Sequence, residues 1–211
     1  MNPVSAWRET SRGVGRSLRI ADVTDDHRKR LTEAHAALRE RRYEDAAKAF
    51  TVLFDEGHPE AGLGLGWLYA HGVGVEEDFE RAEHVLRAAV EAGNDGGLYQ
   101  LGRLYLRNGF PENAFAQFSE GARRNDLASL YWTGWAYLKG VGTEKDLSKA
   151  EACLKSAADR GHVFAARELA TARYRGTFGP PDRIGGAIAV LRAIIRGVTL
   201  ILTDPYGART R

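Results

Sequence analysis

Two glycine turns, six histidines and one cysteine are the residues of this chain whose types could do chemistry. Gly72-Val73-Gly74 and Gly140-Val141-Gly142 resemble loops whose bare N–H groups cradle a phosphate. Such a loop needs a preceding strand and a Lys-Ser/Thr pair or dinucleotide fingerprint beside it. Here helical sequence precedes both turns and no such partner accompanies them, so they read as structural. His27, His35, His58, His71, His84 and His162 are scattered, and none joins another ligand type in a recognised metal motif. His71 and His162 fall at turns and read as solvated. Glu80, Glu83, Glu144 and Glu151 have basic neighbours at helical spacing and read as solvent-facing. No serine sits in Gly-x-Ser-x-Gly. Cys153 has no base partner by spacing, forms no internal disulfide, and reads as an inert core thiol. No catalytic residue, cofactor or metal site is expected.

The glycines belong to a repeat. Leu65-Gly66 with Tyr69 returns as Leu101-Gly102 with Tyr105, then as Thr133-Gly134 with Tyr137, with a worn copy at Leu169-Ala170. The steps are 36, 32 and 36 residues, a period that marks stacked helical hairpins, each too small to bury its apolar face alone. Gly72, Gly140 and Gly176 stand where a first helix should stop, and Gly93, Gly161 and Gly197 where a second should. The third copy has a short turn, Asn108-Gly109-Phe110-Pro111, and Asn125 replaces its final glycine. Gly66, Gly102 and Gly134 lie inside a helix, where glycine costs about 1 kcal/mol relative to alanine. Close approach of a neighbouring helix backbone is the expected return, with Ala82, Ala89, Ala150 and Ala157 as its small counterparts. Leu65 and Tyr69, like Leu101 and Tyr105, share one face, read as core.

This pattern resembles Sel1-like repeats, relatives of the tetratricopeptide repeat. The copies from Glu60 to Gly93 and from Ala128 to Gly161 are close to the family pattern. The third copy, and Arg41-x-Tyr43-x-x-Ala46-x-x-x-Phe50 within Leu31 to Glu56, look more like tetratricopeptide units. The copy from Ala165 to Gly197 departs most, with Ala170 and Arg173 in place of glycine and tyrosine. The resemblance implies an all-α, right-handed α-α superhelix, a solenoid of about five hairpins. It implies a repeat domain over residues 26–197, between a flexible basic arm at 1–25 and an apolar segment and tail at 198–211. It also implies a non-catalytic interaction module, an adaptor, scaffold or regulator that holds a protein or peptide in its concave groove. The alternatives are a membrane- or oligomer-tethered scaffold that uses the C-terminal apolar segment and, after it, a hydrolase-like enzyme, for which the paired cysteines of such Sel1-like proteins are missing.

Helix geometry nominates the groove. In each first helix the residue after the motif glycine and the one four before it share a face turned from the core. These are Leu63 and Trp67, Tyr99 and Arg103, Tyr131 and Trp135, Arg167 and Thr171, extended by Ala70, Leu106, Leu138 and Tyr174. By the resemblance this face lines the concave side, and its aromatics and arginines are the types enriched in binding hot spots. The competing reading is that these aromatics fill gaps between hairpins. Trp132 lies beside the set, with a phase that points to the core or an adjacent repeat.

Composition agrees with a soluble helical chain: 44% apolar, 27% charged, net charge +2. The charge is uneven, at +3 over residues 1–31, −6 over 32–172 and +5 over 173–211. An acidic middle argues against nucleic acid, which favours a basic stripe along the repeats. The arm, with Arg8, Arg12, Arg16 and Arg19, lacks an apolar run long enough for a secretory signal. It reads as disordered, or as a segment that a partner orders. Ala187 to Leu202 is apolar but interrupted by Arg192, Arg196 and Gly197 and too short to span a bilayer. It reads as the last repeat's second helix plus a cap, or as a membrane-surface or dimer contact at Val198 to Leu202. The expected setting is the cytoplasm. The oligomeric state is left open.

Overall fold

The computed structural model describes the backbone of residues 20–203, and side chains over 26–195 and at 198 and 199. Most of the expected N-terminal arm lies outside the described residues, and α1 begins at Ile20. The order is α1 (Ile20–Arg39), α2 (Tyr43–Asp55), a short 3-10 turn (Pro59–Ala61), α3 (Gly62–His71), α4 (Phe79–Glu91), α5 (Gly96–Arg107), α6 (Pro111–Arg123), α7 (Leu127–Lys139), α8 (Leu147–Asp159), α9 (Val163–Tyr174) and α10 (Arg183–Thr203). No strand occurs among the described residues. The described helices form five hairpins, and the second helix of each of the first four packs on the first helix of the next. This is the expected all-α solenoid.

Turn chemistry sets the hairpins. Gly72 and Gly140 take the left-handed conformation, φ 60° and 71°, and their N–H groups bond Leu68 O and Ala136 O. The next helix starts on an aspartate: the Asp78 and Asp146 carboxylates accept the N–H groups of Arg81 and Lys149, both at 2.9 Å. The same aspartates donate their own N–H back to Tyr69 O and Tyr137 O, both at 3.0 Å, which closes the turn. Asp182 repeats this toward Arg173 O and Gly185 N–H. Asn125, at φ 69°, stands where Gly93 and Gly161 end their hairpins. The expected stop at Gly197 does not occur, because α10 runs through it to Thr203. The residues after it, Val198 to Leu202, carry no turn signal.

The small residues inside the first helices serve side chains more than backbones. A Cβ on Gly66 would strike the Leu86 side chain, and one on Gly102 the Phe118 ring. Backbone approach of the expected kind occurs at Gly134, where a Cβ would stand 3.1 Å from Leu154 N, and at Gly62 against Val85 O. Leu86, Phe118 and Leu154 are among the most buried large side chains. In these three hairpins the second helix thus drives one large residue into a notch in its first helix. Ala82, Ala89, Ala150 and Ala157 are buried as expected. Gly74 and Gly142 have a different duty: a Cβ there would collide with the backbone of Tyr43 or Pro111, so each turn seats on the start of the preceding hairpin's second helix.

Candidate functional site

The first helices carry a connected string of rings and guanidiniums across three hairpins. From α5, Arg103 lies over Trp132 of α7 at 5.1 Å and donates to the Tyr99 hydroxyl at 3.1 Å. Trp132 stacks on buried Phe118 at 5.4 Å and meets Trp135 edge-on at 5.2 Å. Tyr131 contacts Trp132 at 5.6 Å and stacks on His162 at 4.7 Å. His162 leads to Phe164, and Arg167 lies over that ring at 5.4 Å. Arg103, Phe164 and Arg167 are exposed, while Tyr99, Tyr131, Trp132 and Trp135 are half-buried.

This face is apolar at its centre and cationic at both ends, without a nucleophile. Aromatic planes beside Arg forks suit apolar side chains and carboxylates. Burial pushes the Tyr131 phenol up, and the charge of Glu168 adds to that. His162 is not solvated as expected. It is 9% exposed and caps α9, its Nδ1 accepting the Ala165 N–H at 3.1 Å. Burial holds its pKa below the usual imidazole range, against the opposing charge of Asp126. A neutral ring is what that cap requires.

Of the residues the sequence nominated, Tyr99, Arg103, Tyr131, Trp135 and Arg167 fall on this string. Trp67 stands apart on α3, stacked on His71 at 4.6 Å. Leu63 and Leu106 pack half-buried against the second apolar cluster. Leu138 belongs to the third cluster at 7% exposed, so it is core rather than lining. Ala70 is buried, and Thr171 donates to Arg167 O within its own helix. Tyr174 is exposed on the flank where α10 crosses α9 at Gly186. Sequence reasoning missed Trp132, His162 and Phe164 as members. Only Phe164 had a readable signal, three residues before Arg167 on one helical face.

Other chemistry-bearing groups serve structure. Glu83, expected in solvent, accepts from the Tyr105 hydroxyl at 2.6 Å, and Arg87 bonds both. Those bonds hold the Glu83 carboxyl below its usual range even though burial opposes them. Cys153 is half-buried, and burial pushes its thiol up, the direction of an unreactive sulfur. The described histidines are not all scattered: His27, Glu56 and His58 place ligand atoms within 4.8 Å of one another. Arg30 already clamps both Glu56 oxygens, at 2.8 and 3.2 Å, and its charge opposes a cation there.

The Sel1 repeat family model matches residues 59–94, which are the 3-10 turn with α3/α4, and 127–162, which are α7/α8. A curated relative, Protein SHC1 of Saccharomyces cerevisiae, is 32% identical over 107 residues, 49% of this chain and 21% of that protein. The chain thus spans about a fifth of the curated relative it matches. A Sel1 repeat protein from Oxalobacter formigenes superposes with TM-score 0.64 at 22% identity, over 71% of this chain and 62% of the other. A protective antigen of uropathogenic Escherichia coli displaying an SLR fold gives TM-score 0.67 at 20% identity, over 90% of this chain and 44% of the other. Identities this low speak for the fold. The chain carries two Sel1 repeats, α3/α4 and α7/α8, inside a helical solenoid of the kind seen in solved Sel1-repeat proteins.

Proposed function

We propose that this protein is a non-catalytic adaptor or scaffold, set in the cytoplasm, that holds an extended protein segment along the first-helix face. The observation that carries the reading is the string from Tyr99 and Arg103 through Trp132 and Trp135 to Phe164 and Arg167. It crosses three hairpins, so one ligand would touch several repeats at once. Large aromatics and arginines supply most of the energy in protein recognition surfaces. The fitting segment offers a carboxylate to Arg103 or Arg167 and apolar side chains to Trp135 and Phe164. Sel1 repeats as a family serve protein interaction, which supports the class of partner.

The test is selection of peptides from a displayed random library on the wild-type chain. Selected peptides are then measured against an Arg103→Ala/Trp135→Ala variant whose circular dichroism is unchanged. Loss of at least tenfold in affinity is expected, and equal binding by the variant would overturn the groove.

A further inference from the structure

Helix α10 has two faces. One packs on α9 through small residues: Ala193 is 5% exposed, and a Cβ on Gly186 would meet Tyr174 within 3.0 Å. The opposite face carries Ile184, Ile188, Leu191, Ile195 and Val198, between 46% and 78% exposed, with Ile194 beside them. Their spacing is four, three, four and three residues. That 3.5-residue repeat keeps a narrow seam aligned with a facing helix, whereas a helix lying on lipid needs a broader apolar face.

We propose that this seam is a homodimer interface, occupied by α10 of a second copy of this chain. The packing of the solenoid points to a helix as occupant. In the four hairpins before it, the second helix is covered by the first helix of the next; among the described residues, the face of α10 turned from α9 stays exposed. A heptad seam complements itself, so a second α10 fits it. The exposed seam amounts to roughly 600 Å² per copy, which brings a symmetric pair to the lower end of stable interfaces at ~1,200 Å². Charge separates this occupant from an anionic membrane. Between residues 183 and 203 stand three arginines and no acid, Arg192 at the seam's edge. Two such helices repel mildly and pair better as salt screens them, whereas attachment to anionic lipid weakens with salt.

The experiment is sedimentation equilibrium of the full chain at two salt concentrations. The expected result is a monomer–dimer equilibrium that tightens at high salt. An Ile188→Glu/Leu191→Glu variant should be monomeric with unchanged circular dichroism, and Val52→Glu, at an exposed apolar site on α2, should dimerise like wild type. Should the double glutamate variant misfold, Leu191→Ser/Ile195→Ser takes its place, with at least a tenfold weaker dimer expected. A wild-type chain that stays monomeric at both salts overturns the proposal. So does a dimer that survives the seam variants, or a monomer whose α10-dependent binding to phosphatidylserine vesicles falls as salt rises.

Discussion

The guanidinium of Arg103 lies 5.1 Å from the centre of the Trp132 ring, although one belongs to the third hairpin and the other to the fourth. The contact ties neighbouring repeats together on the face nominated for recognition. Exposed cation–π pairs contribute about 0.5–1 kcal/mol. A double-mutant cycle with Arg103→Ala and Trp132→Leu, read by urea unfolding, should return a coupling of that size. A coupling indistinguishable from zero would mean that the pair is not formed in solution.

The notch at Gly102 makes a sharper stability claim. Gly102→Ala normally helps a helix, by about 1 kcal/mol. Here the added Cβ runs into the ring of Phe118, so the variant should be less stable by about 1–3 kcal/mol. Phe118→Leu removes the clash, and in that background Gly102→Ala should lose most of its penalty. Denaturation midpoints of the four proteins decide it, and a stabilised Gly102→Ala chain would refute the notch.

Ser129 is fully buried and its hydroxyl has no hydrogen-bond partner. A buried hydroxyl left unpaired loses its bonds to water and gains nothing. Ser129→Ala should therefore raise stability by about 1 kcal/mol, seen as a higher melting temperature. A lower melting temperature would show that the hydroxyl is satisfied after all.

Acid should weaken the fold before the carboxylates titrate. Burial holds His162 below its usual pKa of 6.5, and burial with Arg39 does the same to His35. The unfolded chain therefore takes up protons first. The stability these neutral rings confer is whole above about pH 6.5 and drains as pH falls toward the lowered folded values. His162→Asn keeps an acceptor at the start of α9 and removes the titration. Its denaturation midpoint should vary less than wild type between about pH 7.5 and pH 5.5. A variant as pH-sensitive as wild type would exclude His162 as a source.

The repeat made the hairpins legible, because a left-handed turn accepts few residue types: Gly72, Gly140 and Asn125 sit where spacing placed them. Gly197 misleads, because a glycine permits a helix to end without requiring it, and α10 continues through it to Thr203. Gly66 and Gly102 were correctly read as close-packing positions. Their partners were not, because spacing tells which helices meet but not which side chain fills the gap. At the site, the helical phase of Trp132 points it to the core or an adjacent repeat. It stacks on Phe118 and lies under Arg103, both of the preceding hairpin, and a ring that wide also reaches Trp135. His162 was misread because a cap bond depends on backbone angles that residue type alone does not reveal.

Nearest-neighbour stacking has a consequence for synthesis. As the chain leaves the ribosome, each hairpin finds the surface it docks on already made, with no wait for a distant segment. The nascent solenoid can grow one unit at a time with little apolar surface unattended. Since α10 follows four finished hairpins, its sticky seam emerges only when the body that must hold it apart from unfinished neighbours is in place.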